Sequence, residues 1–327
     1  MKAIRIMLLL GLVSALAACG PAASSPSSAG EPSMAASVEA EPSAEETIKL
    51  GLITKFPVDF FFVIEDAAAE WAEGHPEVEL ITGQGTAGDD HEGQIAIIES
   101  MVAQGVQGIA VTPTGPQVQP ALDAAVAAGV KIVLIDNDLP DWDGKSAVVA
   151  TDNYAGGVLA GEWLRDQLSD GDTLAVLEGV AGVPALDARV EGMMEGLGDR
   201  DVEVVQQLPT DCDQVKGQEA AEAILTANPD VTALYGACGP PIIGALEAIS
   251  NADRSPDSIV VVGFDASPDE LAAIQAGTED ATVAQFPAKM GELGMQTLLQ
   301  AVLGEEVEAL VDTGTAIVTE ENVGDFE

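Results

Sequence analysis

Gly108–Asp138 reads GIAVTPTGPQVQPALDAAVAAGVKIVLIDND. Two short apolar, β-rich runs, Gly108–Thr112 and Lys131–Ile135, flank a helical pattern at Pro116–Ala128. A strand, a helix and a second strand in that order make a crossover between parallel neighbours. The alternation continues outward in both directions. Further strands are expected at Ile48–Ile53, Val78–Thr82, Ala147–Thr151, Thr173–Glu178 and Val202–Leu208, then at Val231–Tyr235, Ser258–Gly263 and Ala281–Gln285. Helical patterns at Gly88–Gln104, Tyr154–Leu168 and Gln214–Ala227 fill intervals between them. The fold class is therefore α/β, with parallel sheets covered by helices on both faces. Ten strands in one sheet would be unusual, and two doubly wound sheets, each in its own domain, fit the length better. The change of domain is placed near Thr151–Asp152, where one strand follows another without a long helix between them.

Ligands of open α/β sheets bind beyond the carboxyl ends of the strands. The residues just after those ends are Lys55, Thr112, Asp136, Asp152, Asp211, Cys238, Asp265 and Gln285, with Asp187 a few residues on. Singly, such residues are turn formers or helix N-caps. Together they describe two polar rims able to face each other across a cleft.

The N-terminus carries Lys2 and Arg5, then an apolar run from Ile6 to Leu16, then Ala17-Ala18-Cys19. This is the make-up of a secretory signal, and the run is too short to span a bilayer, which takes about 20 apolar residues. Leu16-Ala17-Ala18-Cys19 resembles a bacterial lipobox. The resemblance implies a signal peptide at 1–18, lipid on the Cys19 sulfur and an extracytoplasmic, membrane-anchored product. The alternative is an ordinary signal with an incidental cysteine. Residues 20–46 contain no aromatic residue, and 18 of these 27 are Ala, Ser or Pro. Such a segment buries too little apolar surface to offset its ordering entropy, so 19–46 is expected to be a disordered tether.

The chain holds 55 Asp and Glu against 12 Lys and Arg, a formal net charge of -43. Nucleic acid and anionic lipid surfaces are excluded as partners, because binding to them runs on Lys and Arg; the membrane is reached through the lipid alone. The imbalance fits either adaptation to high salt or a moderately acidic extracellular protein. With Cys19 lipidated, Cys212 and Cys238 are left in an oxidising location, as a disulfide or as two buried thiols.

Several longer stretches resemble the periplasmic-binding-protein type I family, ribose-binding-like, over residues 47–327. They are DFFFV at Asp59–Val63, VLIDND at Val133–Asp138, ATDNYAGG at Ala150–Gly157, VVGFDASPD at Val261–Asp269 and ATVAQFPAKMG at Ala281–Gly291. The resemblance implies two doubly wound parallel-sheet domains, 47–151 plus 286–313 and 152–285 plus 314–327, joined by three crossovers near Thr151, Gln285 and Thr313. It implies a monomer that captures a neutral sugar or polyol between the domains and passes it to ABC permease subunits, without catalytic residues, cofactor or metal. Carried over residue by residue, Phe61 and Phe62 occupy the places of aromatic residues that sandwich the sugar ring, while Asp59, Asp136, Asp265 and Gln285 match hydrogen-bonding positions. Asn137 and Asp187 stand where ribose binders have Arg, and Arg189 aligns with a neighbouring Arg. Cys212 and Cys238 fall on two positions that touch one ligand, which implies a disulfide in the cleft wall, with Cys238 lining the site. Lys55 is read as the one cation near it. A Lys six residues before Phe61, carboxylates at Asp136 and Asp187, and VTEENVGDFE at Val318–Glu327 also resemble the autoinducer-2 and rhamnose branch. The alternative function is thus a receptor for a furanosyl quorum signal or a chemotaxis ligand.

Other motifs carry less. Gly83-Gln-Gly85-Thr-Ala-Gly88 fits G-x-G-x-x-G, but it follows the second strand rather than the first. In Asp136–Gly144 a calcium loop would put Leu139 and Ala150 at its first and last ligand positions. His75 and His91 have no nucleophile or metal-ligand partners in the sequence, and His75, before Pro76 at a helix end, is expected to be exposed. The high-salt reading predicts a melting temperature that climbs between dilute buffer and molar salt, because screening relieves self-repulsion; a flat series selects the moderately acidic alternative.

Overall fold

The computed structural model describes residues 47–255 and 258–326. The expected signal peptide, Cys19 and the 19–46 tether lie outside the described residues. The first sheet collects β1 (Ile48–Thr54), β2 (Val78–Gln84), β3 (Gly108–Val111), β4 (Lys131–Ile135), β5 (Ala147–Ala150) and β11 (Leu310–Asp312), in the order β2-β1-β3-β4-β5-β11 and parallel throughout. The second collects β6 (Thr173–Glu178), β7 (Glu203–Pro209), β8 (Ala233–Gly236), β9 (Val260–Asp265), β10 (Ala281–Ala284) and β12 (Ala316–Thr319), in the order β7-β6-β8-β9-β10-β12. In both, the order reverses beside the first strand, which opens a crevice at the carboxyl ends.

Alternation along the strands assigns the two faces of each sheet. In the first, Ile109, Val111, Ile132 and Leu134 pack under α2 (His91–Ala103) and α3 (Gln119–Ala127), while Ala110, Val133 and Ile135 pack under α1 (Asp59–Glu73) and α9 (Pro287–Leu303). In the second, Leu174, Val176, Tyr235 and Phe264 meet α4 (Asn153–Gln167) and α5 (Pro184–Leu197), and Ala175, Leu177, Leu234 and Val261 meet α6 (Gln214–Ala227) and α7 (Gly239–Asn251). A short helix, α8 (Pro268–Gln275), follows β9 behind a capping box of Ser267 and Glu270.

Three details differ from the sequence reading. First, β11 and β12 were not anticipated, and β12 runs antiparallel to β10. It leaves the crossover through Gly314, at φ 81°, and so travels away from the end that β10 approaches. Second, β9 spans Val260–Asp265 rather than Ser258–Gly263, so Asp265 is its last residue and registers with Ala284. Third, His75 is half-buried, its ring stacked 3.8 Å from that of Trp71 and its Nδ1 2.7 Å from the Trp71 carbonyl oxygen.

The chain crosses between the sheets after β5, β10 and β11. Two of the crossings are tied together. Thr151 and Thr313 are buried with hydroxyls 3.5 Å apart, and Asp312 Oδ1 accepts from the Asp152 and Gly314 amides.

Helices α4 and α5 pack through bare backbone. A Cβ on Gly157 would lie 2.2 Å from the Arg189 carbonyl oxygen, one on Gly161 2.1 Å from that of Met193, and one on Gly192 2.2 Å from that of Tyr154. Gly161→Ala must push two helix backbones apart and is expected to cost about 1–3 kcal/mol. Gly324→Ala, which meets nothing within 4 Å, should leave urea unfolding unchanged.

Candidate functional site

The polar residues gather at the carboxyl ends of the two sheets. On the first sheet, Lys55 follows β1, and its Nζ donates to Asn137 Oδ1. Asp136 follows β4 in the left-handed region, at φ 64°, which Asp tolerates better than most residues. Its amide donates to the Val149 carbonyl oxygen at 3.0 Å. Asp136 and Lys55 are both half-buried. Burial pushes the Asp136 carboxyl up, opposed by Lys55 and by Arg189, and Asp265 adds to the rise. Burial pushes the Lys55 ammonium down, opposed by Asp136. Charges on both sheets act on Asp136, so the two rims share one electrostatic site.

On the second sheet the organising residue is Arg189. Only 5 % exposed, it donates from Nε to Asn153 Oδ1 (2.8 Å) and from Nη1 to the Ala237 carbonyl oxygen (2.8 Å) and Asp265 Oδ1 (3.0 Å), with its guanidinium 3.8 Å over the Phe264 ring. Asp265 Oδ1 also accepts from Gln285 Nε2 at 2.7 Å, and Oδ2 from the Gly239 amide at 3.4 Å. Gln285 is buried, and its Oε1 has no hydrogen-bond partner among the described residues. A buried acceptor of this kind is costly until a donor arrives. Cys238 caps α7 and forms a disulfide with Cys212, Cα atoms 5.6 Å apart, which selects the bonded pair over free thiols.

The structure thus brings together Lys55, Asp136, Asn137, Asp265 and Gln285, with Cys238 beside them. It splits the phenylalanine pair. Phe61 is 4 % exposed and lies on the buried stripe of α1 with Ile64 and Ala68, edge-to-face with Phe56 and Phe60. One residue on, the helix turns Phe62 outward, 41 % exposed. The half-buried rings are those of Phe56 and Phe60. Asp59 and Asp187 are exposed in the first turns of α1 and α5, and no described contact joins either to the cluster. Lys55 as the one nearby cation is corrected: Arg189 is a second, two residues beyond Asp187. Its scarcity was the available signal, since a buried cation in so acidic a chain needs a carboxylate partner. A separate groove lined by Leu246, Glu247, Asp269 and Ala273 contains none of these groups.

Two doubly wound sheets, chained through three crossings and meeting at a polar rim, define a two-lobed binding protein of the periplasmic type I class, ribose-binding-like. The chain belongs to the periplasmic binding protein family, whose profile, a periplasmic binding protein domain, matches residues 50–306. The ribose import binding protein of Haemophilus influenzae is 29 % identical over 286 residues, covering 86 % of this chain and 94 % of that protein. The Bacillus subtilis ribose import binding protein is 32 % identical over 236 residues, covering 72 % and 75 %. A Bacillus halodurans ABC transporter solute binding protein with bound myo-inositol superimposes with a TM-score of 0.79 at 26 % identity, covering 86 % and 98 %. A periplasmic ribose ABC transporter structure from Conexibacter woesei also gives 0.79 at 26 %, covering 86 % and 95 %. Members of this family bind substrates and are not enzymes.

Arg189→Met should leave Asp265 uncompensated and destabilise the fold by about 2–4 kcal/mol, a little under the fully buried case because Asp265 is partly exposed. Urea denaturation checks this, and a loss below about 1 kcal/mol would contradict a structural ion pair.

Proposed function

We propose that the chain is an extracytoplasmic, lipid-anchored, monomeric substrate-binding protein that captures a neutral sugar or polyol and delivers it to an ABC importer. The lobes 47–151 plus 286–313 and 152–285 plus 314–327 close over the ligand. Solute-binding relatives named for ribose, and a structural neighbour holding myo-inositol, support the ligand class.

The observation that carries the reading is the charge balance of the rim. Lys55 faces Asp136, and Arg189 faces Asp265, so a ligand need bring no net charge. Among the described residues Gln285 Oε1 has no donor, and a ligand hydroxyl would supply one. Asp136 and Asp265 keep acceptor lone pairs for further hydroxyls, in the stronger, charge-assisted kind of bond.

Calorimetry against D-ribose, D-allose, myo-inositol, D-glucose and glucuronate tests this. A neutral compound should bind, and glucuronate should bind more weakly than glucose. A sugar acid binding more tightly than its neutral parent overturns the electrostatic reading. Gln285→Ala and Asp265→Ala should each weaken the best ligand by about 1–3 kcal/mol, the cost of leaving a buried hydroxyl unpaired; unchanged affinity removes the residue from the site.

A further inference from the structure

Behind Asp265 lie two carboxyl groups that the cleft chemistry does not use. Glu270 in α8 is fully buried and Glu279, before β10, is 2 % exposed. Both converge on the bare Cα of Gly263: a Cβ there would sit 2.3 Å from Glu270 Oε1 and 2.6 Å from Glu279 Oε1. Neither oxygen of Glu279 has a hydrogen-bond partner among the described residues, although the Gly263 amide lies close enough to favour its charge. Two ionised carboxylates at such a spot, with no cationic partner, would carry a large desolvation and repulsion cost.

Glu270 also holds the loop that presents Asp265. Its Oε2 accepts from the Ser267 amide (2.9 Å) and hydroxyl (2.8 Å), and its Oε1 from the Thr282 hydroxyl (2.8 Å), which in turn accepts from the Ala266 amide at 3.3 Å. The loop needs holding, because Asp265 and Ala266 stand at φ 110° and 51°, unusual for residues with a side chain.

From these contacts we propose that Glu270 and Glu279 are positioning residues: a proton retained on the pair spares Glu270 the repulsion of a second buried carboxylate, so that it goes on accepting from Ser267 and Thr282 and keeps the Asp265–Ser267 loop in its ligand-binding conformation until that proton is lost. The proposal rests on the cleft being the ligand site. Burial raises both groups, Glu270 to about 8 with Asp265 adding to the rise and the hydrogen bonds from Ser267 and Thr282 opposing it, and Glu279 further raised by Glu270 and Asp280. The surrounding charges work in the same direction. Asp265 faces the pair from β9, and Asp280, at the start of β10, accepts from the Val261 amide. Arg189 of α5 is spent on Asp265, and Tyr235 of β8 donates to the Arg189 carbonyl oxygen. Asp269 of α8, Glu247 of α7 and Arg254 after it line the separate groove, and the turn that packs on α8 carries Asp325. The folded protein therefore holds a proton that the unfolded chain releases near pH 4.5. This contribution is fully present below that pH and is lost as pH rises through about 8.

The test uses the wild type and the Glu270→Gln/Glu279→Gln double variant between pH 6 and 9, with D-ribose, D-allose and myo-inositol as probes. The wild type should bind the best probe about tenfold more weakly at pH 9 than at pH 7, as one linked proton with a midpoint near 8 requires, and the double variant should bind it with a flat profile. Equal pH dependence in both overturns the proposal. If no probe binds, the sugar reading fails separately, and wild-type hydrogen exchange decides the proposal. Corrected for intrinsic rates, protection of the Ala266 and Ser267 amides should fall above pH 8, together with loss of the protonated-carboxyl infrared band. Constant protection, or no such band at pH 7, overturns it. These wild-type readouts also stand if the double variant does not fold.

Discussion

The Arg189–Asp265 ion pair depends on an approach that glycine alone permits. Helix α5 lies against α4 where Gly157 leaves room for the Arg189 carbonyl oxygen. That contact sets the start of α5 at the height where one guanidinium reaches Asn153 in α4, Ala237 after β8 and Asp265 at the end of β9. Four elements of the second lobe are thereby fixed at the rim by a single side chain, and Gln285 is drawn in through Asp265. A buried ion pair is weak evidence for stability in general. Here it acts as a geometric anchor, because each donor is directed to a different element.

The two lobes solve the same problem with different chemistry. In the first, a lysine meets an amide and a carboxylate at the ends of β1 and β4. In the second, an arginine meets a carboxylate and two uncharged acceptors. Since burial disfavours unpaired charge on either side, each rim carries its own counter-charge. Each rim is thereby balanced without a counter-charge from the other.

The alternation of strand and helix was legible because parallel strands buried on both faces are continuous apolar runs, as in Ile132–Ile135 and Leu174–Leu177. What failed was short, exposed or long-range. β11 and β12 have three and four residues and lie at sheet edges, with Leu310 open to solvent, so no apolar run marks them. The phenylalanine run could be placed on α1, but a shift of one residue rotates a ring from the core to the surface, which carry-over by resemblance did not resolve. Arg189 was aligned with a neighbouring Arg but given no role, because its partners lie 36, 48 and 76 residues away. Lys55, Asp136, Asp265 and Gln285 could be placed at the rim because strand ends are visible locally.

The last crossings bear on whether the lobes can be separated. Strand β11 completes the edge of the first sheet, α9 covers one of its faces, and β12 closes the edge of the second sheet against β10. All three follow β10 in the chain. Each sheet is therefore completed by a segment that reaches it only after most of both lobes has been laid down, and neither lobe is a continuous stretch that could be excised whole. A cut after β10 would uncover β5 and β10 together as open edges, and an open strand edge is a template for pairing with another chain.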